Sequence, residues 1–193
     1  MKKDNPASTE QVILKYAEQE FLEKGYAGAR TVSIAEKAGV THAMLHYYFR
    51  TKQQLFDRII AEKAALMADS IFSIFSDGSL PLNERMAKSI AAHFDFLMEN
   101  PLIPRFLVTE LGQIDKSYFE RVFARGTLAL RHTQEEIDFD VTHLMMDIVG
   151  LNMLPFLVLP ILESSGLNQK ERDAFLQSVK QENITVILKR LGL

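Results

Sequence analysis

A chain of 193 residues and 22.0 kDa has the length of one large domain or two small ones, and with 47% hydrophobic and 24% charged residues it can bury a core. It has no cysteine, which excludes disulfides, thiolate zinc sites, iron–sulfur clusters and cysteine nucleophiles, and its net charge of −3 excludes a polycation. The opening Met1-Lys2-Lys3-Asp4-Asn5-Pro6 leads into polar residues with no apolar stretch behind it, so the expectation is a cytoplasmic protein.

Charge is unevenly spread. Residues 1–63 hold ten Lys/Arg against eight Asp/Glu, and residues 64–193 hold twelve against seventeen. The window 37–56 contains Lys37, Arg50 and Lys52 with His42 and His46, and no acid. Such a window is a footprint for a polyanion or a solvated surface with chance spacing.

The hydrophobic pattern is helical along the chain, with no sustained period of two. Ser8-x-x-Gln11 is a capping-box start for a helix over about 9–24, with Val12, Ile13, Ala17, Phe21 and Leu22 as its stripe and Gly25 at its end. Thr31 is expected to cap a short helix carrying Ile34, Ala35 and Ala38 and ending at Gly39. Thr41 caps another over 42–48. Thr51-x-x-Gln54 is a second capping box, opening a long helix that Asp77-Gly78 closes. Pro81 starts the next, to about Asn100, with Met86, Ile90, Phe94 and Leu97 on one face. Pro101 and Pro104 bracket the opening of a helix through Leu111, and another is expected over 115–135. An apolar segment follows over 139–163, then a break at Gly166-Leu167-Asn168 and a last helix over 168–190. The fold class expected is all-α, with about nine helices.

Residues 31–49 have the form of a helix–turn–helix. Gly39 permits the left-handed backbone of a tight turn, Val40 plugs the angle between the helices, and Ile34, Ala35, Ala38 and Leu45 form their shared core. Thr41, His42, Met44, His46 and Tyr47 are left for the outer face. In such a motif the second helix enters the major groove and reads base edges.

Three stretches then match a family pattern in unbroken order. They are Ile13-x-x-x-Ala17-x-x-x-Phe21-x-x-x-Gly25-Tyr26, Thr31-x-x-Ile34-Ala35-x-x-Ala38-Gly39-Val40-Thr41, and Leu45-x-Tyr47-Tyr48-Phe49-x-x-Lys52-x-x-Leu55. Together they resemble the N-terminal domain of TetR-family transcriptional regulators. The resemblance implies a three-helix DNA-binding domain over 1–50 and a helical bundle for ligand binding and dimerisation over 51–193. It implies a DNA interface of Arg30, Thr31, Thr41, His42, Ala43, Met44, His46, Tyr47, Tyr48 and Lys52. Thr41 is the recognition-helix cap touching the backbone, His42 and Met44 face bases, and Lys52 binds phosphate. Of Tyr47 and Tyr48 one meets phosphate and one packs. Tyr48 and Phe49 also read simply as core, and Arg30 and Arg50 as solvated charges. Three departures stand out: His46 where the family often has tyrosine, Ala43 where glycine is common, and Val32 where several members carry a polar residue.

For the remainder the resemblance implies a homodimeric regulator, released from a palindromic operator by a small hydrophobic effector. The expected lining is Met67, Phe72, Met86, Phe94, Met98, Phe106, Glu110, Phe123, Met146 and Met153. Met145 is a further apolar candidate, and His93, Asp95, His143 and Asn152 are polar groups able to orient a ligand. Methionine adapts to irregular cavities, and it also fills ordinary cores. Residues 144–162 approach the length of a membrane span, but Asp147, Asn152, Pro155 and Pro160 argue for a buried dimer helix kinked near Pro155. No phosphate-loop, His-Glu-x-x-His or Gly-x-Ser-x-Gly pattern is present, so no enzyme, cofactor or metal is expected. The competing expectation is a helical carrier of lipids or other small molecules that binds no operator.

Overall fold

The computed structural model describes residues 8–75, 77–117, 120, 124–126, 128 and 139–193; at 64, 67–70, 72 and 73 it describes the backbone alone. Among the described residues the elements are α1 (Thr9–Gly28), α2 (Thr31–Lys37), α3 (His42–Tyr48), α4 (Lys52–Phe75), α5 (Leu82–Glu99), α6 (Ile103–Thr109), a 3-10 turn (Leu111–Gln113), α7 (Val141–Ser164) and α8 (Gln169–Leu191). The described residues between 116 and 128 are helical too, while most of the helix expected over 115–135 lies outside the described residues. No strand occurs among them, and the all-helical expectation holds.

The chain forms two compact units. One comprises the described residues up to Lys63 together with Phe106–Asp115, and the other comprises Ala64–Arg105 with Lys116–Leu193. The first unit thus runs past residue 50, through about three turns of α4, and takes in a later segment of the chain.

In the first unit, Ser8 and Gln11 form the expected capping box on α1. Gly25 interrupts the helix at φ 66° and ψ 175°, a conformation open essentially to glycine. Ile13, Leu14, Ala17 and Phe21 from α1 are buried with Ile34, Ala35, Leu45, Phe49, Leu55 and Phe56. Phe21 and Phe56 meet edge to face at 5.3 Å, Tyr26 packs on both, and Phe106 lies 5.5 Å from Phe56. Gln53 Nε2 donates to the Gln113 carbonyl at 3.1 Å, and Ile114 is buried. Residues 106–115 are therefore part of this core.

Glu20 is the charged group at its centre. It is fully buried, and its carboxylate accepts from Lys24 Nζ at 2.6 Å, Lys37 Nζ at 2.8 Å and Ser33 Oγ at 3.2 Å. Burial alone would raise its pKa. The bonds from Lys24, Lys37 and Ser33 outweigh that and hold it at about 2, below the ordinary 4.5. One carboxylate so ties α1 to α2.

In the second unit one apolar cluster joins Ile71, Phe75, Met86 and Ile90 to Val141, Leu144, Met145, Ile148 and Ile187. Another joins Phe94, Leu97, Phe156, Leu159 and Leu176. A polar chain is buried alongside. Asn152 Nδ2 donates to the Ile90 carbonyl at 3.0 Å and to His93 Nδ1 at 3.2 Å, and Asn183 Nδ2 donates to Asn152 Oδ1 at 3.0 Å. Asn183 Nδ2 also donates to the Leu151 carbonyl at 3.0 Å. That carbonyl is four residues before Pro155, which has no N–H to give it. Asn183 on α8 thus replaces the bond the proline removes from α7. Burial holds the His93 pKa at about 4, below the ordinary 6.5.

By length and composition α7 is long and apolar enough to cross a membrane. Asn152 at its middle is buried against α5 and α8, and Asp147 pairs with Arg190 on α8. Its polar groups are thus matched by neighbouring helices, as in a bundle core. Both prolines lie within the helix.

Two outcomes follow for stability. Glu20→Gln is expected to destabilise the first unit by on the order of 2–3 kcal/mol in denaturant titrations at neutral pH. Because the folded pKa lies below the unfolded one, this contribution is complete above 4.5 and is lost as pH falls toward 2. For His93 the folded value is also depressed, so stability is complete above 6.5 and declines as pH falls toward 4. Hydrogen exchange followed down a pH series should therefore show the second unit weakening before the first.

Candidate nucleic-acid interface

The turn between α2 and α3 is built locally. Gly39 adopts φ 68°, and no atom lies within 4 Å of where its Cβ would be, so the requirement for glycine is one of backbone angle, not of space. Val40 N–H donates to the Ala35 carbonyl at 3.0 Å and closes the turn. Thr41 Oγ1 then accepts from Met44 N–H at 3.1 Å and caps α3, as expected. Leu45 is the one buried residue of α3. His42, Ala43, Met44, His46, Tyr47 and Tyr48 are all exposed, with Met44 at 46% and Tyr47 at 82%. The helix is a short rod seated on a single side chain, with the remainder of its surface in solvent.

Two capping expectations are corrected. Arg30, not Thr31, is the N-cap of α2, and it makes no side-chain cap bond. Thr31 is the first helical residue, and its hydroxyl meets His42 Nε2 at 3.0 Å. At the start of α4, Thr51 Oγ1 accepts from Gln54 N–H as expected, but the Gln54 side chain accepts from Arg50 N–H and not from Thr51. The reciprocal half of the box is shifted by one residue.

Arg30, Thr31 and Lys52 come together with His46 around a groove of about 700 Å3, which Ala29, Val32, Ser33 and Glu36 also line. Sequence reasoning had not placed Ser33 or Glu36 there. The signal was their position in the first turns of α2, on the side that also carries Val32, which is 51% exposed. Lys52 Nζ is held 3.4 Å from the Ala27 carbonyl and 4.7 Å from the centre of the Tyr26 ring. Its ammonium is thereby fixed at the beginning of α4. Of the three cations in the basic window, Lys37 is not available to this face. It donates to Glu20 and lies 3.8 Å from Glu23, and the bond to Glu20 raises its pKa.

The histidines are also positioned. His42 and His46, one turn apart, meet edge to face with ring centres 4.4 Å apart. His46 Nδ1 lies 3.3 Å from the Arg50 carbonyl. Tyr47 and Tyr48 meet edge to face at 5.5 Å. This outer surface offers imidazoles, a phenol, a thioether and the Val32 side chain, which can approach base edges and thymine methyls. Arg30 and Lys52 flank it, as groups that contact phosphate do.

The described members of the expected effector lining are divided between the two units. Met86 and Phe94 are fully buried in two different clusters of the second unit, and Met98 and Met153 pack against the second of these. Met145 belongs to the first cluster. Phe106 and Glu110 belong to the first unit; Phe106 packs on Phe56, and Glu110 lies beside Gly25. Met146 is 58% exposed and points out of the core. The side chains of Met67 and Phe72, and all of Phe123, lie outside the described residues. Of the polar candidates, His93 and Asn152 share the buried chain, Asp95 pairs with Lys180, and His143 is exposed beside Asp140. Helix α7 is apolar on every side, so periodicity marked no inward face for it.

Residues 13–59 match the sequence profile of bacterial regulatory proteins, tetR family. The HTH-type transcriptional repressor AcnR of Corynebacterium efficiens is 34% identical over 68 residues, which is 35% of this chain and 36% of that protein's length. The fatty acid degradation regulator FadR of Bacillus halodurans has the same fold, with a TM-score of 0.70 over 95% of this chain and 97% of that one, at 20% identity. FadR of Bacillus subtilis, solved in complex with stearoyl-CoA, superposes with a TM-score of 0.67 over 90% and 96% of the two chains, at 18% identity. The profile match falls on the helix–turn–helix whose geometry is given above, and the fold likeness extends over the bundle. Residues 13–59 thus carry the N-terminal helix–turn–helix domain found in bacterial regulatory proteins of the tetR family, and the chain has the fold of solved regulators of that kind.

Proposed function

We propose that the protein is a cytoplasmic repressor that binds a palindromic DNA operator as a homodimer and is released by a small hydrophobic molecule. The observation that carries this is α3: a capped rod with one buried residue and six exposed ones, flanked by the exposed Arg30 and by Lys52, whose ammonium is held at the start of α4. His42, Ala43, Met44, His46 and Tyr47 would meet the major groove, with His42 and Met44 on bases. Arg30, Thr31, Thr41, Tyr48 and Lys52 would meet the phosphate backbone.

The dimer reading is supported by α7 and α8. Met146, Val149, Leu154 and Ile161 are exposed on α7, and Val186 is exposed on α8. Met146, Leu154 and Ile161 are eight and seven residues apart, which puts them on one stripe of the helix. An apolar stripe of this kind calls for a cover, and a two-fold partner supplies an identical one. Two recognition helices about 34 Å apart would then reach successive major grooves. The hydrophobic character of the effector is supported by the stearoyl-CoA bound to the Bacillus subtilis relative. Release follows if the effector favours a geometry in which that spacing is wrong.

Mobility-shift and footprinting experiments on DNA beside the protein's own gene test the central reading. Retarded DNA with a palindromic footprint is expected; hydrophobic-ligand binding with no DNA affinity at low salt would favour the helical-carrier alternative. Lys52→Ala should weaken binding about equally on all sequences and lower the slope of log affinity against log salt by about one unit. His42→Ala and Met44→Ala should instead alter which bases are preferred. Replacing Leu154 and Ile161 together by Asp should give a monomer by light scattering, with operator affinity lost because half-sites are then bound singly.

A further inference from the structure

His46 is where this chain departs from the family pattern, and its surroundings define its chemistry. The inference developed here rests on the DNA-binding reading above. A carbonyl oxygen only accepts, so the contact between His46 Nδ1 and the Arg50 carbonyl at 3.3 Å places a proton on Nδ1. In the neutral ring Nε2 is then a lone-pair acceptor. In the charged ring it is a second N–H donor. Nε2 has no hydrogen-bond partner among the described residues, and His46 is exposed and lines the 700 Å3 groove.

We propose that His46 is a DNA-contacting residue of the recognition helix whose Nε2 takes up a proton when the protein docks on duplex DNA and then donates to an acceptor there. The charged and titratable groups around it are Arg30 and Glu36 from α2 and its start, Arg50 on the turn after α3, Lys52 at the start of α4, and His42 on α3 itself. A duplex adds a row of phosphates to this set, and nearby negative charge favours the imidazolium. The available acceptors are guanine N7 and O6, thymine O4 and phosphate oxygens, all of which match an N–H and none of which match a lone pair. His42 does not share this role. Its Nε2 is engaged by the Thr31 hydroxyl, and its ring sits edge to face on His46 at 4.4 Å, where a second charge beside that of His46 would be repelled.

The proton makes affinity depend on pH in a definite direction. If the complex holds one more proton than the free partners, the association constant falls by up to tenfold per pH unit as pH rises across the range in which the complex keeps that proton and the free protein does not. The test uses the full-length protein and a fluorescent duplex selected from a random-sequence pool at pH 6, titrated by anisotropy at constant ionic strength from pH 6 to 8. We expect affinity to fall by about tenfold over this range, His46→Gln to flatten the dependence to less than about twofold, and His42→Gln to retain it. A second selection at pH 8 locates the acceptor. A change of preferred base at one position of each half-site identifies a base edge, and an unchanged sequence with uniformly weaker binding identifies a phosphate; each supports proton uptake by His46. A His46→Gln protein that binds with the pH dependence of the parent overturns the proposal, as does a parent protein whose binding is tight and flat with pH. In both of those outcomes the operator reading stands, whereas absence of any duplex binding at pH 6 and low salt would overturn the operator reading itself.

Discussion

A seven-residue peptide does not hold a helix in water, because nucleation is unfavourable and too few turns follow to offset it. That constraint governs α3. Its helical form depends on Thr41 at one end, on Leu45 beneath, and on the turn at Gly39 that directs it away from α2. Since only Leu45 is committed to the core, nearly all the remaining surface is left open to solvent. The seat under Leu45 therefore has to be rigid. It rests on α2, which packs against both α3 and α1, and the Glu20 carboxylate between Lys24, Lys37 and Ser33 fixes α2 to α1. The same arrangement withdraws Lys37 from the outer face, so stability of the seat and basicity of the surface compete for one lysine.

The second unit meets a comparable demand with neutral groups. Its longest apolar helix contains Pro155, and the carbonyl released at Leu151 would be a buried orphan without Asn183. Asn152 and His93 extend that repair into a chain across α5, α7 and α8. A fully satisfied buried chain of this kind specifies one register of the three helices, which an apolar surface on every side of α7 does not do alone.

What could be read from the amino-acid order was what neighbouring residues decide. Ser8 and Thr41 cap helices, and Gly25 and Gly39 take positive φ at or near helix ends. These depend on a few consecutive residues. Glu20 carries no mark of its burial in the sequence because its partner Lys37 lies seventeen residues away. Asn183 carried no mark of its relation to Leu151, thirty-two residues earlier. Thr31 was placed one residue early in its helix because its hydroxyl has a tertiary partner, His42, in place of a backbone one. The apolar lining was least legible, since composition alone does not separate a methionine that fills a core from one that points outward.

Residues 106–115 carry a consequence for how the protein can be dissected. Phe106 covers Phe56, Ile114 is buried and Gln113 accepts from Gln53, so the DNA-binding unit is assembled from two separate stretches of polypeptide. A fragment cut after Lys63 would keep the whole helix–turn–helix and yet expose an aromatic wall. The module is thus no transplantable cassette: grafting it onto a foreign sensor would require the later strip to travel with it.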